Sequence, residues 1–316
     1  MGSISGLVKR FHRSISNEEY YVAEQTCRTI YHRLTHPRDP STLDLPYALE
    51  QLFTGALTLL EKDRAEEGSA LALLAVKHLK DYKVGKSFET MKQLRTIAME
   101  LERIAKKKML NQDNPNREEE RNSILKEKIR YLRGVVDWTK DEEVDGANLE
   151  GDEWANCDLG RTLQELGEYK DAMYCFLNSN TPAHMAELVN VWTKKTGLKS
   201  EQDLFLCRVI LLYLSRENLQ DANATFDDLM EIWKWKNPHS RQPLANFCEL
   251  LLLTVQHDKK AAKLYQRLVN TYKKSLERDP ELMKLTNEVG EIYFSVQQQR
   301  GGNPLFSMLG QMMGAR

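Results

Sequence analysis

The chain has 316 residues, of which 29% are charged, and a formal net charge of −1 at pH 7. A charge balance this close to neutrality gives no global attraction to nucleic acid or to an anionic membrane. The sequence has only sixteen glycines and nine prolines and is rich in Leu, Ala, Glu and Lys, which favours an all-α fold. Its five cysteines are scattered without a Cys-x-x-Cys pair, as expected of reduced thiols in a cytosolic protein.

The N-terminal segment is basic. Residues 1–38 contain six Lys or Arg against three Glu, and helices are predicted over Leu7–Phe11 and Glu18–Ile30. A positive end suits an acidic partner surface, although ordinary solvated charge is the alternative interpretation. Residues 1–11 lack the apolar run of a signal peptide, so we expect the chain to stay in the cytosol.

Four longer helices are predicted before residue 140. Pro46 suits the first turn of a helix over Leu45–Leu60, and Ser69 is a suitable N-cap for a helix over Ala70–Asp81. Helices over Phe88–Lys107 and Ile124–Trp138 follow. The next segment, 140–153, is acidic and contains glycine, so it is expected to be a surface loop.

A helix–turn–helix unit stands out between Leu159 and Leu177. Leucines at one face of a first helix are followed by Gly167, which tolerates the positive φ at a helix end. Tyr169, Ala172 and Phe176 then begin a second helix, and this spacing is typical of a tetratricopeptide (TPR) unit. The aromatic or apolar, Ala, apolar spacing occurs twice more, in Tyr20/Ala23/Cys27 and Leu219/Ala222/Phe226. Because one such unit cannot bury its own apolar faces, the sequence predicts an all-α, TPR-like α-solenoid of about seven helix pairs.

The C-terminal part continues the helical pattern. Predicted helices are Gln202–Ser215, Leu219–Trp235, Leu244–Gln256, Ala261–Leu276 and Glu281–Gln298. Asp279 and Pro280 suit the N-cap and first turn of the last one. The apolar run Leu250–Leu253 indicates a deeply packed helix. After Gly301-Gly302 the Met-rich tail 301–316 is expected to be flexible.

The search for chemistry is negative. Gly85-Lys86-Ser87 resembles the end of a phosphate-binding loop, but Lys80 stands where that loop needs a glycine. His32 and His36 have the spacing of metal ligands on a helix, but no third ligand is evident. The sequence therefore predicts no catalytic residue, no metal site and no cofactor. An enzyme with an unrecognised site and a scaffold subunit of another multiprotein assembly stay open as alternatives.

Several motifs resemble one known family, the scaffold subunit of the guided-entry-of-tail-anchored-proteins (GET) machinery, or Golgi-to-ER traffic protein four family. Gly167 to Phe176 is similar to its G-x-Y-x-x-A-x-x-x-F unit. Other similar stretches, in the same order along roughly 290 residues, are Tyr20-Tyr21-x-Ala23-x-Gln25-x-x-Arg28-Thr29-Ile30, Gly55-Ala56-Leu57, Gln242-Pro243-Leu244-Ala245-Asn246-Phe247, Arg278-Asp279-Pro280, Gly290-Glu291-Ile292-Tyr293-Phe294 and Gly301-Gly302-Asn303-Pro304-Leu305-Phe306.

The resemblance implies a non-enzymatic cytosolic scaffold with a different partner at each end. Residues 1–140 would bind the homodimeric targeting ATPase of the pathway, and residues 141–300 a ubiquitin-like adaptor. The adaptor recruits a TPR co-chaperone that carries tail-anchored proteins for insertion into the ER membrane; nucleic acid and direct membrane insertion are not implied. The ATPase-binding residues would be Arg13, Tyr20, Tyr21, Arg28 and Arg33. The adaptor-binding residues would be Pro243, Leu244, Phe247, Leu250, Leu251, Tyr293 and Phe294.

Two features depart from the family pattern. Members carry an acidic residue at the start of the helix that begins near Ala70, whereas this chain has Glu66 and Glu67 upstream of that point. Some members have a β-hairpin between the last helices. The segment 237–243 is short for one, so a small hairpin near the C-terminal end stays an open alternative.

Overall fold

The structure is a computed structural model that describes residues 3–37, 40–140, 150–235, 237–257 and 261–296. Within these ranges the chain forms fourteen α-helices and three short 3₁₀ helices, and no strand. The predicted fold class, an all-α TPR-like solenoid of about seven helix pairs, is confirmed. The chain divides into two compact units, residues 1–179 and 180–316. This division by compactness does not test the predicted division by partner at residue 140, which stays a prediction. The predicted flexible tail, 301–316, lies outside the described residues.

Unit 1 is a series of helical hairpins, each joined by a short turn. Its eight helices are α1 (Ile4–Ser16), α2 (Tyr20–Thr35), α3 (Leu45–Glu61), α4 (Ala65–Asp81), α5 (Phe88–Leu110), α6 (Arg117–Thr139), α7 (Glu153–Glu165) and α8 (Tyr169–Leu177). Several of these helices begin at a side-chain cap. Asp44 accepts a hydrogen bond from the backbone N–H of Tyr47 at 3.0 Å at the start of α3, and Ser87 accepts one from that of Thr90 at 3.1 Å at the start of α5. Such caps satisfy donors that the first helical turn leaves open.

Helix α4 begins five residues earlier than the sequence predicted, at Ala65. Ser69 is therefore not its cap, and its hydroxyl instead donates to the carbonyl oxygen of Glu66 at 3.0 Å. Gly68 lies inside the helix because α3 is close: a Cβ atom there would be 2.6 Å from Cγ of Leu60. The acidic pair Glu66 and Glu67 consequently occupies the first turn of α4.

Helices α7 and α8 form the TPR-like hairpin that the sequence predicted. Gly167 ends the first helix with φ at +82°, a conformation that favours glycine. The two helices approach closely at Gly160, where a Cβ atom would lie 2.7 Å from the ring of Phe176. Ala172 and Phe176 are fully buried beneath this crossing.

Unit 2 is built around α10, whose side chains Leu206, Ile210 and Leu214 are fully buried. Neighbouring helices cover α10 on several sides, which explains its long apolar run. The helices of this unit are α9 (Pro182–Thr196), α10 (Gln202–Ser215), α11 (Leu219–Ile232), α12 (Pro243–His257), α13 (Ala262–Leu276) and α14 (Pro280–Phe294).

The β-hairpin considered for 237–243 is not formed in the described residues. Pro238–Ser240 is instead a 3₁₀ helix, for which Asn237 caps the N–H of His239 at 3.0 Å. Pro238 and Pro243 lack the N–H groups that a strand ladder needs, which disfavours a hairpin over so few residues.

Candidate functional site

The N-terminal candidate surface is carried by α1 and α2. Their contact is apolar: Ile30 and Leu34 pack with Ala48 of α3, and the partly buried Leu7 and Val8 of α1 cover them. This core fixes which side chains of the two helices face outward.

The outward face of α2 presents Tyr21, whose side chain is 68% exposed. Arg28 follows seven residues later and therefore lies on the same face. Its Nε donates to Oε1 of Glu24 at 2.7 Å, so part of its charge is already paired. Arg33 is half-buried and lies about 120° from Tyr21 around the helix axis. Arg13 is exposed in the last turn of α1.

Tyr20 connects this face to α4. It is partly buried, and the guanidinium of Arg64 lies over its ring, 4.9 Å from the centroid. Arg64 also pairs with Glu67 at 2.8 Å. Arg64, Glu66 and Glu67 were not predicted as neighbours of α2, because the predicted start of α4 was five residues too late. We call Arg13, Tyr20, Tyr21, Arg28, Arg64, Glu66 and Glu67 the N-terminal surface.

The apolar residues predicted at the C-terminal end are not gathered on one surface. Leu244, Phe247 and Leu251 of α12 are fully buried, and Phe294 is 4% exposed. Phe294 stacks on Tyr265 with their ring centroids 4.7 Å apart. These four side chains build the core of unit 2 and hold its helices in place, so they are not available for direct contact with a partner.

Pro243 and Tyr293 lie in two other places. Pro243 is exposed at the first position of α12. Tyr293 is partly exposed, and its hydroxyl oxygen is buried without a hydrogen-bond partner among the described residues. Burial, together with the nearby Glu217, raises the pKa of Tyr293, so this phenol stays neutral at physiological pH.

Leu250 is the one residue of the predicted set that lines a groove between α12 and α13. The groove has a volume of about 430 Å³. Leu253 and Leu264 line it too, and the three leucines are 44, 44 and 55% exposed. The other lining residues are Thr254, His257, Ala261, Arg267, Leu268, Thr271 and Tyr272. We call these ten residues the α12–α13 groove.

Helix α12 is therefore apolar on two faces. Leu244, Phe247 and Leu251 point into the core, while Leu250 and Leu253 point into the groove. A helix with apolar residues all round is normally covered on all sides. In the part of the chain that the structure describes, the outer face of α12 has no such cover, which makes the groove a candidate docking site.

Two kinds of chemical site can be tested in the described residues, a metal centre and a reactive cysteine. They contain no group of three or more His, Cys, Asp or Glu side chains placed to hold a metal ion. Burial raises the pKa of the Cys27 thiol to about 12 and that of Cys175 to about 11, so neither is a ready nucleophile. No helix in the described ranges has both the length and the apolar character needed to cross a membrane.

Fold and surfaces together define a class: a TPR-like helical scaffold with protein-binding candidates in each of its two units. The family model described as Golgi to ER traffic protein 4 matches residues 44–313. The chain belongs to this family. Family membership supports a role in the GET pathway as a helical scaffold.

Individual relatives agree with this assignment. Protein GET4 of Arabidopsis thaliana is 30% identical over 325 residues, which cover 97% of this chain and 95% of that protein. A Golgi to ER traffic protein 4 homolog of Dictyostelium discoideum is 31% identical over 187 residues, 59% of this chain and 57% of that one. A solved chain described as C. therm. Get4 matches with a TM-score of 0.72 at 22% identity, over 100% of this chain and 97% of that chain, which supports the fold.

Proposed function

We propose that this protein is a non-enzymatic cytosolic scaffold that bridges two partners in the delivery of tail-anchored proteins to the ER membrane. The N-terminal surface binds the homodimeric targeting ATPase. The α12–α13 groove binds a ubiquitin-like adaptor, which recruits a TPR co-chaperone carrying the tail-anchored clients. Holding both partners at once shortens the transfer of a client from co-chaperone to ATPase.

The double-faced helix α12 is the observation that carries this proposal. Its inner leucines already complete the core of unit 2, so packing inside the described chain does not account for Leu250 and Leu253. A partner that covers the exposed part of these two side chains would gain about 1 kcal/mol of binding free energy from each, at roughly 25 cal/mol per Å² of buried apolar area. An apolar segment of a partner, laid along α12 and α13, gains this energy with little rearrangement of the groove.

The N-terminal surface has the composition of a different kind of interface. Tyr and Arg, which dominate it, are the residue types most enriched at energetic hot spots. Arg64 holds Glu67 and covers Tyr20, so an aromatic residue, cations and the acidic first turn of α4 are presented together. Such mixed charge favours an interface whose formation rate depends on electrostatic attraction.

A single substitution in the groove tests the assignment of the adaptor. Leu253→Lys places a charge in the apolar floor, and we expect adaptor binding to weaken at least tenfold, the effect of about 1.4 kcal/mol. Binding of the ATPase should stay within twofold. The matched control is Ile232→Lys, which changes a side chain that is 43% exposed near the end of α11 and should affect neither partner. Both titrations can be followed by calorimetry. Equal adaptor affinity for the two variants would exclude the groove as the adaptor site.

A further inference from the structure

A second groove lies in unit 1 and shares no lining residue with the N-terminal surface. It is lined by residues along α3, by the start of α5 and by His78 in the last turn of α4. Its volume is about 570 Å³. Leu45, Leu49, Phe53 and Leu57 form its apolar floor. Lining residues recur along one face of α3 from Leu45 to Glu61, a length of about 24 Å at 1.5 Å per residue. We call it the α3 groove.

The charged residues that line the α3 groove have one sign. Its charged lining residues are Glu50 and Glu61 on α3 and Glu89 on α5, and all three are exposed. No Lys or Arg is among the residues that line it. Glu50 and Glu61 are eleven residues apart, which places them about 16 Å apart along the helix.

A buried polar atom of one lining residue has no hydrogen-bond partner among the described residues. His78 lines the groove, is 1% exposed, and its Nδ1 makes no hydrogen bond to any described residue. Its ring contacts those of Tyr31 and Tyr82, with centroids 5.7 and 4.6 Å away. Burial lowers the pKa of His78, partly opposed by Asp81. The imidazole is thus neutral at physiological pH and adds no positive charge to the groove.

We propose that the α3 groove binds an amphipathic helix of another protein, with apolar side chains along one face and Lys or Arg beside them. The straight apolar floor fits about four turns of a single helix. The acidic rim selects cations, and Glu50 and Glu61 match basic residues about three turns apart on the bound helix.

This site is independent of the proposed function. It shares no residue with the N-terminal surface or with the α12–α13 groove, so a failure at one of the three sites leaves the other two untouched.

A peptide-display selection on the full chain tests the proposal. The probe is a library of random 18-residue peptides, selected on the wild-type chain and then titrated by fluorescence anisotropy. Thr54→Trp fills the groove from an exposed lining position, and Thr96→Trp is the matched control at an exposed position of α5 outside it. Circular dichroism melting checks that both variants fold as the wild type does.

The expected peptides carry apolar residues at helical spacing and an excess of Lys and Arg. They should bind Thr54→Trp at least tenfold more weakly than wild type and bind Thr96→Trp equally well. The triple variant Glu50→Lys, Glu61→Lys, Glu89→Lys should also bind the peptides at least tenfold more weakly. The same Glu→Lys changes at the exposed Glu187, Glu231 and Glu291 should leave the peptide affinity unchanged. Selected peptides without an excess of Lys and Arg would contradict the proposal that the bound helix is basic. A selection that yields no peptide sensitive to Thr54→Trp would overturn the site.

Discussion

Lys128 is the most buried cation among the described residues of unit 1, with a side chain only 2% exposed. Its Nζ lies 3.1 Å from Oε2 of Glu102 and 2.9 Å from Oδ1 of Asp158, so it joins α6 to α5 and α7. Burial alone would raise the pKa of Glu102. The hydrogen bond from Lys106 and the charge of Lys128 outweigh burial and lower that pKa to about 2.

Removing the lysine should therefore destabilise unit 1. In Lys128→Ala, two partly buried carboxylates lose their shared cation, and we expect the free energy of unfolding to fall by about 3–5 kcal/mol. Lys126→Ala, at an exposed position two residues away, should change it by less than about 0.5 kcal/mol. Urea unfolding at pH 7 measures both variants.

The free energy of unfolding should depend on pH, because the pKa of Glu102 is lowered in the folded state. A carboxyl group whose pKa is lower in the folded state stabilises the fold above its ordinary pKa, here 4.5. That contribution is lost as the pH falls from there toward about 2. The difference in stability between wild type and Lys128→Ala should hence narrow across this range. A difference that stays constant from pH 7 to pH 2 would show that the ion pairs contribute nothing.

At the scale of elements, α12 is held at its start by Asp203 of α10. This carboxylate is fully buried, accepts the backbone N–H of Leu244 at 3.2 Å, and pairs with Nη1 of Arg278 at 3.0 Å. Gln242 completes the contact by accepting the backbone N–H of Asp203 at 2.9 Å. One side chain thus joins α10, the first turn of α12 and the turn before α14.

Asp203→Ala should loosen the helix that carries the groove. The N–H of Leu244 and the guanidinium of Arg278 would lose their acceptor, at a cost of about 2–3 kcal/mol. Amide exchange in the first turns of α12 should accelerate about 100-fold, while exchange in α1 and α2 should not change. Asp203→Asn, which keeps one acceptor oxygen, is the matched control and should show a smaller acceleration. Unchanged exchange in Asp203→Ala would mean that α12 is held by its apolar contacts alone.

The helices could be predicted from the sequence because their signals are local. Asp44, Ser87, Gly167 and Asp279 mark starts and ends through their own hydrogen bonds or φ angles. The start of α4 was missed because Gly68 normally indicates a break, and only its contact with Leu60 explains a glycine inside that helix.

The candidate site was less predictable, because burial depends on distant neighbours. Within the run Leu250–Leu253 the two outer leucines are exposed and the two inner ones are buried, according to what lies on each face of α12, and the sequence around the run does not specify those faces. In the same way, nothing local indicated that Tyr20 would meet Arg64 across α2 and α4. The structure divides the predicted site residues into core and surface, and which of the surface residues bind a partner stays a prediction.

At the scale of the whole molecule, charge is distributed unevenly along a chain whose net charge is only −1. The N-terminal surface carries Arg13, Arg28 and Arg64 together with the acidic Glu66 and Glu67, whereas the α12–α13 groove is lined by leucines with one arginine, Arg267. The two proposed contacts should accordingly rest on different forces. Charge attraction between exposed groups is screened beyond about 8 Å at physiological salt, while apolar burial is almost indifferent to it.

The salt dependence of the two contacts tests this account most directly. Calorimetric titrations of the ATPase and of the adaptor onto the full chain would be run at about 50 and about 500 mM NaCl. We expect the affinity for the ATPase to fall at least about tenfold and that for the adaptor to change less than about threefold. Equal salt sensitivity of the two partners would contradict the assignment of an electrostatic surface to unit 1 and an apolar groove to unit 2.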